Sequence, residues 1–309
     1  MSISTFRTNG KLLLTAEYFV LDGALAAAVP TRLGQTFTVT KTAHEDNILV
    51  WTSLDSDGSA WFSARFDTVD LSILQSKFSE IAQQLRVILL AARKQNSSFL
   101  MSEKPEKIQV LTELEFPRLW GLGSSSTLIA ALGDWAKVNP YRLLAETMGG
   151  SGYDIACAVS DTAIFFQKNR SENLVTNCDF NPIFRSQLYF IYLEKKQNSR
   201  EGIAQYKKNG MPSASLIGEV SELTRRFIAA QSLSDFEKII VAHEKIVAAA
   251  VGLPRAKSLY FSDFWGEIKS LGAWGGDFIL ATSDRSEIET RSYFNEKGFK
   301  VFLKYDNLV

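Results

Sequence analysis

The chain lacks a net charge. Its 34 basic residues balance 34 acidic ones over 309 positions, which excludes the broad basic surface that grips nucleic acid or anionic membrane through bulk charge. A local anion site is not excluded. Cysteine is scarce: Cys157 and Cys178 are the two in the chain, with no Cys-x-x-Cys spacing. Neither a disulfide framework nor a cysteine-based zinc site is therefore expected. Such sparing use suits a reducing cytoplasm, the expected location. Histidine is limited to His44 and His243, too few for a His-rich metal site. The first residues, Met1 to Arg7, carry no apolar stretch of the secretory kind. No apolar run approaches the roughly 20 residues that span a bilayer, and no repeat stands out.

What is present can build a core. Hydrophobic residues make up 46% and charged ones 22%, close to the soluble globular average. The length points to two domains or one large one.

Apolar and polar residues alternate over Gln35–Lys41, Ile48–Thr52 and Ala60–Phe66, which predicts antiparallel strands. Lys11–Leu14 reads as a strand, followed by a turn at Asp22-Gly23 and a short helical or packed run Ala24–Ala28. Leu71, Leu74, Phe78, Ile81, Leu85 and Ile88 step by three and four, which predicts one long helix over Thr68–Gln95. Further strands are expected at Ile108–Leu114, Thr162–Gln167, Gln187–Leu193, Phe278–Thr282 and Lys300–Lys304. Helices are expected at Thr127–Val138, Tyr153–Val159, Ser234–Val251 and Ser286–Lys297. In the Ser234–Val251 helix, His243 lies on the apolar face with Phe236, Ile240 and Val247 and reads as a core histidine. Trp51, Trp61, Phe62 and Phe66 alternate on strands and read as core. The mixture favours an α+β fold with antiparallel sheets. A polar stretch near Asn169–Pro182 marks the expected boundary, giving domains 1–180 and 181–309.

Three glycine clusters carry the functional signal: Gly121 and Gly123; Gly149, Gly150 and Gly152; Gly272, Gly275 and Gly276. Glycine permits close backbone approach and positive φ. The sharpest segment is Pro117-Arg118-Leu119-Trp120-Gly121-Leu122-Gly123-Ser124-Ser125-Ser126-Thr127. A glycine loop opening a helix presents unpaired N–H groups at the helix's positive end, a ready anion site, and the serines add donors and a possible Mg²⁺ oxygen. It is not a Walker A loop, since no Gly-Lys-Ser/Thr follows. Read alone, it is either a phosphate loop or a serine-rich N-cap after a turn.

Pro-x-x-x-Gly-Leu-Gly-Ser-Ser-Ser-Thr closely resembles the ATP-binding loop of the GHMP kinases, the family of galactokinase, homoserine kinase, mevalonate kinase and phosphomevalonate kinase. Two more segments resemble family motifs in the same order. Gly10-Lys11-Leu12-Leu13-Leu14-Thr15-Ala16-Glu17-Tyr18-Phe19-Val20-Leu21-Asp22-Gly23 is similar to the N-terminal motif, and Leu271-Gly272-Ala273-Trp274-Gly275-Gly276-Asp277 to a degenerate last glycine loop. Gly150-Ser151-Gly152-Tyr153-Asp154-Ile155-Ala156 resembles the Ser-Gly-x-Asp element of the mevalonate arm, in a form nearest to phosphomevalonate kinases.

The resemblance implies a two-domain fold: an N-terminal domain like ribosomal protein S5 domain 2, with a ferredoxin-like C-terminal domain. It also implies Mg-ATP-dependent phosphoryl transfer to mevalonate or phosphomevalonate. Asp154 would be the general base and Lys11 its partner, holding the carboxylate ionised and stabilising the transferred group. Gly121, Leu122, Gly123, Ser124, Ser125 and Ser126 would wrap the phosphates. Ser125 matches the Mg²⁺-ligating serine, and Glu146 is a weaker second candidate for which a surface glutamate on a helix is the preferred reading. Glu17, Tyr18, Ser151 and Gly152 would shape the acceptor pocket. Ser199, after Lys195-Lys196-Gln197-Asn198, matches a second-domain segment loosely. Read without the resemblance, Asp154 is a helix N-cap and Lys11 a solvated strand-end lysine.

Trp274 and Asp277 depart from the family pattern, placing a bulky ring and a negative charge in the last loop. They keep open a non-catalytic nucleotide-binding regulator of the same fold. A kinase for a sugar or homoserine hydroxyl is the other alternative. The expected partners are ATP and a small anionic or hydroxylated metabolite, with no nucleic acid and no membrane. A homodimer is compatible with the sequence.

Overall fold

The computed structural model describes residues 1–169, 172–194, 199–272, 274 and 276–309. In chain order the strands and helices of the first half are β1 (Ser2–Leu13), β2 (Ala26–Ala43), β3 (Ile48–Leu54), β4 (Ala60–Asp67), β5 (Ile73–Ser76), α1 (Ser79–Gln95), β6 (Glu106–Leu114), α2 (Ser124–Ala136), α3 (Pro140–Thr147) and α4 (Tyr153–Ala158). The second half adds β7 (Ile164–Gln167), β8 (Leu174–Asn177), β9 (Leu188–Tyr192), α5 (Ser199–Lys208), α6 (Ala214–Ala229), α7 (Leu233–Val251), α8 (Ala256–Tyr260), β10 (Ile268–Ser270), β11 (Phe278–Thr282), α9 (Glu287–Glu296), β12 (Phe302–Lys304) and α10 (Tyr305–Leu308). The fold is α+β, as expected.

The chain divides into two compact units that interleave in sequence. One comprises 1–10, 33–118 and 123–159; the other comprises 11–32, 119–122 and 160–309. The boundary expected at 180/181 falls inside the second unit.

In the first unit the strands run in the order β5-β4-β3-β6-β2, with β1 also on β2. Alternation works as expected in β4, where Phe62, Ala64 and Phe66 are buried and their neighbours are not. One pairing departs from the antiparallel expectation: β3 and β6 are parallel, Trp51 opposite Val110. The connection through β4, β5 and α1 brings the chain back in the same direction. The core joins Phe37, Trp51, Phe66, Leu89, Ile108, Leu132 and Leu143, each such side chain contributing about 1.5–3 kcal/mol on burial. Trp51, Phe62 and Phe66 are thus core, whereas Trp61 is half-buried with the Arg118 guanidinium stacked 4.7 Å from its ring.

The helix expected over Thr68–Gln95 is shorter. It starts at Ser79, and Ile73–Ser76 is a strand paired with β4. Aspartate chemistry breaks it: Val69 N–H donates to Asp67 at 2.6 Å and Ser72 N–H to Asp70 at 2.7 Å, and Leu71 takes a φ of 59°. Such Asx turns compete with helix. The Ala24–Ala28 run, expected as helical or packed, is packed rather than helical: its alanines are buried and Ala26 begins β2.

In the second unit the first part of β2 pairs with β7, and β7 with β8. A separate antiparallel sheet runs β10-β11-β9-β12. One face of that sheet packs Ile191, Ile279 and Ala281 against Phe261 and Phe294. Every residue of β9 and β11 is buried, so these strands read as continuous apolar runs rather than alternating ones. Among the described residues no helix is long and apolar enough to cross a membrane.

Candidate functional site

The start of the glycine loop, Leu119–Leu122, belongs to the second unit. Its 3-10 turn, Arg118–Trp120, packs the Trp120 ring 5.5 Å from Phe278 and 6.1 Å from Tyr192, and the Tyr192 hydroxyl donates to Leu119 O at 2.9 Å. Lys11 follows directly. Its backbone N–H donates to Leu122 O at 2.9 Å and its Nζ to Gly121 O at 3.1 Å. The lysine is half-buried and tied to the loop, not a free strand-end side chain. Of the predicted site residues, Lys11, Gly121 and Leu122 are thereby brought together.

The loop then enters α2. Gly123, at φ 92°, is the N-cap and offers no side chain to the first-turn N–H groups. Ser126 is buried and turns its hydroxyl back to Gly123 O at 2.8 Å. Ser125 is exposed and Ser124 half-exposed. Thr127 secures the turn from below, donating to Gln35 Oε1 at 2.7 Å. The result is a helix start whose N-cap residue gives no side chain to the leading N–H groups, an arrangement suited to an external anion.

The Ser151–Asp154 segment lies in the first unit. Gly152, at φ 94°, is the N-cap of α4, and Asp154 sits in its first turn rather than at the cap. Ser151 and Gly152 are buried; Asp154 is half-buried, accepting from Ile155 N–H at 3.1 Å. Its charge also reaches Tyr141, whose phenol is pushed up first by burial and then by Asp154. Glu146 lies on α3 and pairs with Arg142 at 2.9 Å, an i,i+4 surface pair. Among the described residues no group of three or more His, Cys, Asp or Glu is arranged to hold a metal.

Glu17 and Tyr18 lie in a strained stretch. Ala16 has φ 61° and Tyr18 φ 64°, conformations that cost non-glycine residues roughly 1–3 kcal/mol and persist only where surroundings enforce them. The enforcement is visible. Ala16 N–H donates to His243 Nε2 at 2.8 Å, and the Tyr18 ring stacks on Tyr206 at 5.5 Å. The Glu17 carboxylate, fully buried, pairs with Lys269, not with the glycine loop. Lys269 Nζ also lies 3.6 Å from Glu244 Oε1 and donates to Ser270 O at 3.0 Å. Glu244 in turn accepts from Ser270 N–H at 3.1 Å.

Glu17, His243, Glu244 and Lys269 are all 0% exposed. Burial raises the Glu17 carboxyl, opposed by Lys269. Burial raises Glu244 to about 7, again opposed by Lys269 and helped by the Glu17 charge. Burial, then Lys269, holds His243 well below its usual range. The imidazole is therefore neutral, with Nε2 accepting and the proton on Nδ1. Nδ1 and Glu17 Oε2 find no hydrogen-bond partner among the described residues. His243 is the core histidine expected from its helix face. Lys269 and Glu244 were not expected. The signal available for Glu244 was its place four residues after Ile240 and three before Val247, inside an apolar stripe.

The last glycine loop carries two side chains in the left-handed region, Trp274 at φ 54° and Asp277 at φ 44°. Trp274 is buried and its indole N–H has no partner among the described residues. The Asp277 carboxyl stands against Gly121, where a Cβ on that glycine would overlap it. Residues 273 and 275 of this loop, and Lys195 to Asn198, lie outside the described residues. Ser199 opens α5.

No family model matches the chain, and no curated protein matches it in sequence. Solved structures do. Methanococcus jannaschii mevalonate kinase aligns with a TM-score of 0.71 at 16% identity, over 98% of this chain and 97% of that one. Streptococcus pneumoniae phosphomevalonate kinase, in complex with phosphomevalonate and AMPPNP, aligns at 0.69 and 14% identity, over 97% and 99%. Lactococcus lactis galactokinase, complexed with galactose, aligns at 0.68 and 13% identity, over 98% and 93%. The chain has the fold of these GHMP kinases over nearly its whole length.

Proposed function

We propose that the chain is a Mg-ATP-dependent small-molecule kinase that transfers the γ-phosphoryl group to a mevalonate-type acceptor, mevalonate or phosphomevalonate. The observation that carries this reading is the glycine loop: Lys11 is tied to Gly121 and Leu122, and the helix that follows starts without a side-chain cap. A fold shared with mevalonate and phosphomevalonate kinases supports it.

Phosphoryl transfer asks mainly for positioning and charge stabilisation. In this reading the amides from Gly121 to Ser126 orient the phosphates, and the exposed Ser125 hydroxyl faces them. Asp154 takes the acceptor's proton, or orients the acceptor where that is a phosphate. Lys11 stabilises the charge on the transferred group. Ser151, Gly152, Glu17 and Tyr18 shape the acceptor side, Glu17 by fixing the backbone from its buried pair with Lys269. Mg²⁺ would supply charge neutralisation on the phosphates. Ser125 is its better candidate ligand, since Glu146 is engaged with Arg142. The scarcity of protein carboxylates fits an ion held largely by substrate phosphates and water. Reducing cytoplasm is the proposed setting.

A second reading, a kinase for a sugar hydroxyl, is favoured by the comparable TM-score of the galactokinase, 0.68. The test is ATP consumption over mevalonate, phosphomevalonate, homoserine and common sugars. Turnover with a mevalonate-type acceptor is expected, and turnover confined to a sugar selects the second reading. Nucleotide binding without turnover on any acceptor makes the chain a regulator instead.

A further inference from the structure

Among the buried groups Glu17, His243, Glu244 and Lys269, one ammonium serves two carboxyls. Lys269 Nζ donates to Glu17 Oε1 and to Ser270 O at 3.0 Å. Glu244 Oε1 lies 3.6 Å from it, beyond hydrogen-bond reach. The cation is committed to Glu17, and Glu244 is a neighbour that competes for it. Glu244 is held instead by Ser270, whose N–H donates to Oε1 at 3.1 Å and whose hydroxyl lies 3.3 Å from Oε2. That hydroxyl can donate to an ionised carboxylate or accept from a protonated one, so Glu244 has a partner in either state. The charged groups acting on it are Lys269 from β10, Glu17 from the segment after β1, and Arg255 from the N-cap of α8. His243, held neutral, precedes it on α7. Among the described residues no ion pair joins Glu244 to α5 or α6, the other helices packed on α7.

The same groups hold backbone. Ala16 and Tyr18 take positive φ on either side of Glu17, a conformation that persists only under outside constraint. Part of that constraint is the ammonium on the Glu17 carboxylate and the imidazole on the Ala16 N–H. Glu17, Glu244 and Lys269 are all 0% exposed, so their charges act on one another without water between them. A negative charge on Glu244 repels the Glu17 carboxylate and draws the ammonium from it. A proton on Glu244 removes both effects. We propose that Glu17, Lys269 and Glu244 form a proton-linked latch on the Ala16–Tyr18 backbone, closed while Glu244 holds its proton and loosened when that proton leaves to solvent. The latch goes beyond the kinase reading and does not depend on it.

The test is hydrogen–deuterium exchange of the full chain at pH 6 and pH 8, corrected for the intrinsic pH dependence of amide exchange and read on the Ala16–Tyr18 amides. Low urea separates the two routes of exchange, because it speeds global opening and leaves local opening nearly unchanged. With Glu244 at about 7 when closed and at its ordinary 4.5 when open, protection of these amides should fall about tenfold from pH 6 to pH 8, by a urea-insensitive route. Glu244→Gln keeps the uncharged partner and should retain the pH 6 protection at both pH values. Glu17→Gln releases the ammonium to Glu244 and should give low protection at both. The latch is overturned by no fall in the unaltered chain, by the same fall in Glu244→Gln, by full protection in Glu17→Gln, or by a fall that follows urea as exchange in β9 and β11 does.

Discussion

Two polar regions of the molecule are built on opposite principles. Glu17, His243, Glu244 and Lys269 are sealed from solvent and bond to one another and to nearby backbone. The glycine loop around Gly121 holds its lysine on a carbonyl and leads into a helix start that no N-cap side chain closes. The first region is closed off from solvent and holds the strained Ala16–Tyr18 backbone. Polar groups satisfied internally fix a shape, whereas polar groups left open at a helix start are available for chemistry.

The largest effect should come from breaking the sealed region. Lys269→Met leaves two buried carboxylates without their cation, and the loss in stability is expected at about 3–5 kcal/mol, read from the urea midpoint. A loss under about 1 kcal/mol would show that the cluster is not held as described. Asp154→Ala sharpens the contrast from the other side. Turnover should fall roughly 10²–10⁴-fold, the usual contribution of a general base, with the melting temperature nearly unchanged. A parallel collapse of stability would make Asp154 a structural residue.

Gly121→Ala comes next. Its φ of 70° costs a side chain about 1–2 kcal/mol, and the Cβ also overlaps Asp277. Adding Asp277→Gly should relieve the overlap and leave the backbone cost, so the double variant should be more stable than Gly121→Ala alone. Additive losses would contradict the contact.

The smallest effect depends on pH. A carboxyl raised in the fold, as Glu244 is to about 7, binds its proton more tightly folded than unfolded. Its contribution is present below the ordinary value of 4.5 and is lost as pH rises towards 7. His243 acts in the opposite sense: neutral in the fold, it costs stability as pH falls below its ordinary 6.5. Glu244→Gln removes the first limb alone. Its stability relative to the unaltered chain should therefore improve steadily from pH 5 to pH 8, and a pH-independent difference would contradict the buried acid.

Much of the scaffold was legible. Alternation found β3, β4 and part of β2 within a few residues, and the apolar face of Phe236, Ile240, His243 and Val247 found α7. The failure at Thr68–Phe78 came from local competition: Leu71 and Leu74 have helical spacing, but Asp67 and Asp70 close turns that spacing does not register. The parallel β3–β6 pair was invisible because pairing direction follows from the whole connection, not from either strand. At the site, the glycine loop was legible because its constraint is local in sequence. The sealed cluster was not. Glu17 and Lys269 lie 252 residues apart, and no spacing rule links a buried acid to so distant a base.

The most direct measurement is the melting temperature of the full chain with saturating Mg-ADP or Mg-ATP. A ligand at a hundred times its Kd adds about 2.7 kcal/mol, so the account predicts a rise of several degrees. No rise with either nucleotide, under conditions where the chain is folded, would contradict the assignment of the open glycine loop as a phosphate site.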